Sequence, residues 1–244
     1  MDSSGSVVMQ TSKLVVPWAQ VPMYNTIMGV CTGVGLLLIV WFGYKFYSRQ
    51  EMVFEGWSLA FGVVGLILFV TGLHMSLTWP IAFIAPWDNI YFGETDLALG
   101  TLLLAVAFYL WRRGPELESL GTASDVVRER LIRVLEPISL IVFALGLVCV
   151  AIGFFPIAYP VYAAPPQEPI SGHFSGYPRL ESTLFALLYW LIAVGCLIFP
   201  WAIQKLERWM MWTIAVSWGL PGAGLVLFTA LNYFTHGGLT YNTR

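Results

Sequence analysis

Long unbroken apolar runs separated by short polar corners make up most of this chain. Six runs are legible, at residues 24–44, 54–79, 95–111, 136–159, 182–204 and 209–234. A helix needs about 20 mostly apolar residues to cross a bilayer. Within each run the apolar residues are continuous rather than alternating, which predicts helices and not the strands of a membrane barrel. The expected fold class is all-α: a polytopic six-helix transmembrane bundle over residues 23–236. Residues 1–22 read as a polar tail leading into an interfacial segment with Trp18, and residues 237–244 as a second tail. The N-terminal stretch has no basic region followed by an apolar one, so it does not read as a signal peptide.

Basic residues orient the bundle. Lys45, Arg49, Arg112, Arg113, Arg128, Arg130, Arg133, Lys205 and Arg208 fall on one side, nine of the twelve in the chain. Only Lys13, Arg179 and Arg244 fall on the other. The positive-inside rule makes the first side cytoplasmic and puts both termini outside. Residues 112–135 form the long cytoplasmic linker. In it, Thr122 to Asp125 can cap a helix, and Val127, Leu131 and Val134 repeat at helical spacing. This predicts an extension of the fourth helix lying at the lipid interface.

Spans two and four resemble each other. Glu55, Ser58, Gly65 and Gly72 align with Glu136, Ser139, Gly146 and Gly153 at a constant offset of 81. Each span ends in a Pro-rich corner, and each following span opens on a glutamate, Glu94 or Glu181. The pattern predicts a parallel repeat of helical hairpins, spans 2–3 and 4–5. The repeat breaks where His74 aligns with Phe155.

Composition supports the membrane reading. The chain is 58% hydrophobic and 11% charged, against about 25% charged for a soluble domain. A net charge of −2 with no basic patch gives no sign of nucleic-acid binding. Membrane lipids are the expected surroundings and the cell membrane the expected location, with other membrane subunits as candidate partners. Cys31, Cys149 and Cys196 sit in apolar runs without metal-type spacing and read as packing residues.

The candidate chemistry gathers around the outer corners. His74 lies ~9 Å below the corner at Pro80, from the rise of 1.5 Å per residue. Asp88, Glu94, Asp96, Glu168, Glu181, His173 and His236 belong to the same side. Thr71, His74 and Thr78 share one face of the second helix, and Thr229, Asn232 and His236 one face of the sixth. Ionisable groups within a membrane are costly and usually mark function. Imidazole with carboxylate suits a transition metal such as Cu, Zn or Fe. The expected metal ligands are His74, Asp88, Glu94, His173 and His236. Against this, a carboxylate in the first turn of a helix is explained by the helix dipole alone, which covers Glu55, Glu94, Glu136 and Glu181. Trp79, Trp87 and Tyr91 read as an interfacial belt. Pro221 should bend the sixth helix, with Gly219, Gly222 and Gly224 allowing close approach.

The segment HMSLTWPIAFIAPWDNIYFGETDLALG resembles a bacterial and archaeal integral membrane protein family of unknown function (domain of unknown function 981). The resemblance rests on His74, Leu77-Thr78-Trp79-Pro80, Asn89 and Phe92-Gly93-Glu94. It implies a fold of several helices and no activity. Three functions fit the sequence. One is a metal-holding protein or membrane oxidoreductase component with an outer His/carboxylate pocket. Another is an accessory subunit of a larger membrane complex with no site of its own. The third is a transporter, whose site should lie near a midplane that here reads almost entirely apolar.

Overall fold

A computed structural model of the chain describes residues 16–244. Its frame is six helices: α1 Asn25–Tyr47, α2 Phe54–Thr78, α3 Pro86–Ser119, α4 Asp125–Ala158, α5 Pro178–Lys205 and α6 Arg208–Asn242. Each is long and apolar enough to cross a membrane. No strand occurs among the described residues. Lys13, and most of the expected N-terminal tail, lie outside the described residues.

Four helices outrun their apolar cores. Helix α3 begins at Pro86, not near Glu94, because Pro86 suits a first helical position and Asp88 favours the dipole of the first turn. Helix α4 begins at Asp125, where the Ser124 side chain accepts the Val127 N–H as an N-cap. Helix α5 begins at Pro178, and α6 continues to Asn242, through the expected C-terminal tail. Glu94 and Glu136 are therefore interior to their helices, and the first-turn explanation fails for both. Pro221 sits within α6, which stays helical on either side of it.

Helices α2 and α3 pack along their length, as do α4 and α5, while α1 and α6 form a third pair. Helix α1 also meets α2, and α6 meets α5, which joins the three pairs. Without a hydrophobic drive in lipid, such pairs rest on close backbone approach at small residues. A Cβ on Gly33 would lie 2.6 Å from the Gly222 carbonyl oxygen, so α1 and α6 touch backbone to backbone there. Gly219, by contrast, has nothing within 4 Å. Of the three glycines flanking Pro221, only Gly222 makes the close approach.

One end of the bundle carries the basic loops. Arg49 pairs with Asp125, and Glu116 holds both Arg113 and Arg130. Glu118 Oε1 accepts the Phe54 N–H at 2.6 Å and so caps α2 from another helix. Val127 and Leu131 are buried with Phe54 and Leu117. The extension of α4 is thus part of the core rather than a strip lying at the lipid interface.

The opposite end carries the Pro-rich corners. Trp79 ends α2 in the left-handed region, with φ 48°, and Pro80 prevents continuation. The loop between α4 and α5 folds back over the bundle. Its Ala164 N–H donates to Glu181 Oε2 at 2.6 Å, and its Gln167 carbonyl accepts from Asn242 at 2.9 Å.

Candidate functional site

The corner end does not assemble the five expected ligands into one centre. Among the described residues, no group of three or more His, Cys, Asp and Glu side chains comes within metal-binding reach. His74 is exposed; its Nδ1 pairs with the Tyr24 hydroxyl at 2.8 Å, and Thr78 is its other neighbour. Among the described residues no carboxylate pairs with this imidazole, contrary to the expectation from its cost near hydrocarbon; the Tyr24 hydroxyl is its partner instead. Glu94 and His173 are exposed. His236 faces Glu168 at 3.7 Å, the closest pairing of imidazole and acid at this end. Burial raises the pKa of Glu168, with Thr235 opposing the shift. Asp88 stays half-buried with Oδ1 unpartnered.

A different carboxylate holds the more telling position. Asp96 is 3% exposed, on the buried stripe of α3 formed with Gly93, Gly100, Leu103 and Ala107. Thr32 on α1 donates to Asp96 Oδ1 at 2.6 Å, while Oδ2 is buried without a partner. An acid so placed needs compensation, since an unsatisfied buried polar atom costs about 1–3 kcal/mol.

Asp96 lines a cavity of about 540 Å³ between the two hairpins and the α1–α6 pair. Its walls are apolar, with Leu36, Leu103, Val142, Leu188 and Trp218 representative. Asp96 and Tyr189 stand toward the corner end, Tyr47 and Arg208 toward the basic end. Cys149 and Cys196 are buried free thiols in the wall, and Cys31 is buried near Asp96.

Between Asp88 and Asp96, α3 widens into a π-helical segment, Asn89–Glu94. Such segments release backbone groups from the helix ladder and are frequent at functional sites. Here the Tyr91 carbonyl accepts from the Tyr189 hydroxyl of α5 at 3.0 Å and from the Thr95 hydroxyl. Tyr91 is buried against Phe155 and Tyr162, so it belongs to the core and not to an aromatic belt. Tyr162, in the loop after α4, is buried with its hydroxyl unpartnered. Burial, aided by Asp88, pushes its pKa up, so the hydroxyl keeps its proton.

The sequence held the signal for Asp96. It lies three residues after Gly93, four before Gly100 and seven before Leu103, the spacing of one helix face. Glu94, two residues earlier, is on another face.

The sequence pattern of the family described as "Protein of unknown function (DUF981)" matches residues 23–237. No curated protein and no solved structure matches the chain.

Proposed function

We propose, for a chain that belongs to the DUF981 family of proteins of unknown function, that it is a multi-pass membrane protein binding a membrane-soluble amphiphile in its central cavity. The observation that carries this reading is Asp96, a carboxyl with one unpartnered oxygen, among the lining residues of an otherwise apolar cavity. A hydroxyl of the ligand donates to the Asp96 carboxyl, which turns toward the cavity to accept it, and the apolar body of the ligand is buried against leucine, valine and tryptophan. The volume, about 540 Å³, lies within the usual ligand range of about 300–1,000 Å³. The nine basic residues support an orientation with the corner end, and so Asp96, toward the outside. A ligand-holding subunit of this kind can serve a membrane oxidoreductase without holding a metal itself.

Purified protein tests the reading with two probes, para-decylphenol and decylbenzene, which differ in the hydroxyl. Native mass spectrometry and thermal melting should show the phenol binding about tenfold more tightly, the worth of one hydrogen bond to a carboxyl group. Asp96→Ala should remove that difference, and Leu103→Trp, which fills the cavity, should weaken both probes. Equal binding of the probes to the unaltered protein would overturn the proposal; it would mean that lipid chains alone occupy the cavity.

A further inference from the structure

We infer that the central cavity has a second polar pole, at Arg208, and that its ligand is a long-chain amphiphile with a monoanionic head seated there. Among the described residues only two charged side chains line the cavity, Asp96 and Arg208. They stand at opposite ends of it. Thr32 of α1 is hydrogen-bonded to Asp96 at 2.6 Å and marks one level. Tyr47, fifteen positions on in the same helix, lines the cavity at the basic end. The rise between them is ~22 Å, most of the hydrocarbon thickness of about 30 Å. Tyr44 and Trp212 border a further small hollow together, which places the start of α6 beside the end of α1. The wall between the poles is apolar, with Leu36, Ile39, Leu103 and Val142 along it. A compact ligand would leave one pole unused, whereas an extended chain reaches both.

Arg208 is open to such a head. It is exposed, and the ion pairs among the described residues occupy Arg49, Arg113, Arg130, Arg133 and His236 but not Arg208. The acid next to it, Glu207, accepts the Trp209 indole N–H at 2.5 Å instead. A guanidinium presents a fork of donors that fits a carboxylate or a phosphate, and one guanidinium matches one negative charge. Tyr47 and Ser48 bring hydroxyls to the same end. Charge also sets the direction of the ligand. An anionic head at the other end would meet the carboxyl of Asp96 within an apolar wall. The head therefore sits at the end of the basic loops, the cytoplasmic one by the positive-inside rule, where basic pockets between helices suit anionic lipids.

The anionic head rests on Arg208 and on the length of the cavity. A hydroxyl at the far end of the same chain, on Asp96, rests on the reading given above. Together they describe a chain with an anionic head and a hydroxylated tail. Carboxylate and phosphodiester heads share this chemistry; the first belongs to a free fatty acid and the second to a phospholipid.

Native mass spectrometry of the purified protein in a neutral detergent tests this with hexadecanoate and its methyl ester, which share a chain and differ in the charge of the head. At neutral pH hexadecanoate should bind about tenfold more tightly, the low end for a hydrogen bond to a charged group. Arg208→Gln should remove that preference without lowering the melting temperature, and Arg208→Lys should keep most of it. Arg112→Gln should leave it unchanged, because Arg112 is exposed at the same end but outside the cavity. Val142→Trp, which narrows the cavity, should weaken both probes. Palmitoyl lysophosphatidylglycerol binding more tightly than hexadecanoate, with the same loss in Arg208→Gln, would assign the head to a phospholipid; the reverse order would assign it to a fatty acid. 16-Hydroxyhexadecanoate should bind more tightly than hexadecanoate only while Asp96 is present. Equal binding of those two acids to the unaltered protein would remove the hydroxyl and keep the anionic head. Equal binding of hexadecanoate and its ester would overturn the pole at Arg208, as would a preference that survives Arg208→Gln or full binding to Val142→Trp.

Discussion

Thr32 on α1 donates its hydroxyl proton to Asp96 on α3 across 2.6 Å, and so joins two helices through the acid that faces the cavity. Thr32→Val should leave Oδ1 as unsatisfied as Oδ2 and destabilise the protein by about 1–3 kcal/mol. Thr32→Ser, which restores the donor, should recover most of that loss. Thermal melting in one detergent compares the three; equal stability of the valine and serine variants would show that the hydroxyl is not what matters.

Gly33 and Gly219 make opposite predictions for the same substitution. A methyl group at Gly33 meets the Gly222 backbone, so Gly33→Ala should cost about 1–3 kcal/mol by overpacking the α1–α6 contact. Gly219 opens onto free space, and Gly219→Ala should stabilise α6 by up to about 1 kcal/mol through helix propensity. Melting temperatures that move the same way for both would contradict this picture of the α1–α6 pair.

Glu168 makes the corner loop sensitive to rising pH. Burial raises its pKa in the folded protein, so the folded state holds the proton more tightly than the unfolded chain does. Stability from this group is fully present at acidic pH, below the ordinary carboxylate range. It is lost as pH rises from that range through the raised value. His236, at 3.7 Å, and Glu181 are the titratable groups facing it. Proteolysis of the loop between α4 and α5 should accelerate across this window, and Glu168→Gln should flatten the profile.

Glu181 anchors the same loop by accepting the Ala164 N–H at 2.6 Å. Glu181→Ala should raise local opening by about tenfold, the equivalent of one charge-assisted hydrogen bond. Hydrogen exchange at Ala164 reads this directly. Global melting should change much less, because one loop contact acts first on local opening.

The sequence by itself determined the six helices. Runs of this length and continuity leave no alternative, because backbone groups in lipid must be satisfied within the segment. It also contained the capped start of α4 at Ser124. It did not determine where helices end once they leave the apolar core: Glu94 and Glu136 look like first-turn residues by hydropathy, yet the helical span around Glu94 starts at Pro86 and that around Glu136 at Asp125. Tertiary structure decided the site. His74 is the conspicuous residue of its run, yet Tyr24, 50 positions earlier, satisfies it at an exposed position. Asp96 is one acid among several in the sequence, and becomes distinct only when α1 brings Thr32 to one oxygen and the packing leaves the other buried without a partner. The difference has a physical cause. Hydropathy is a property of each segment, whereas the cost of a buried polar atom depends on which neighbour from another helix reaches it.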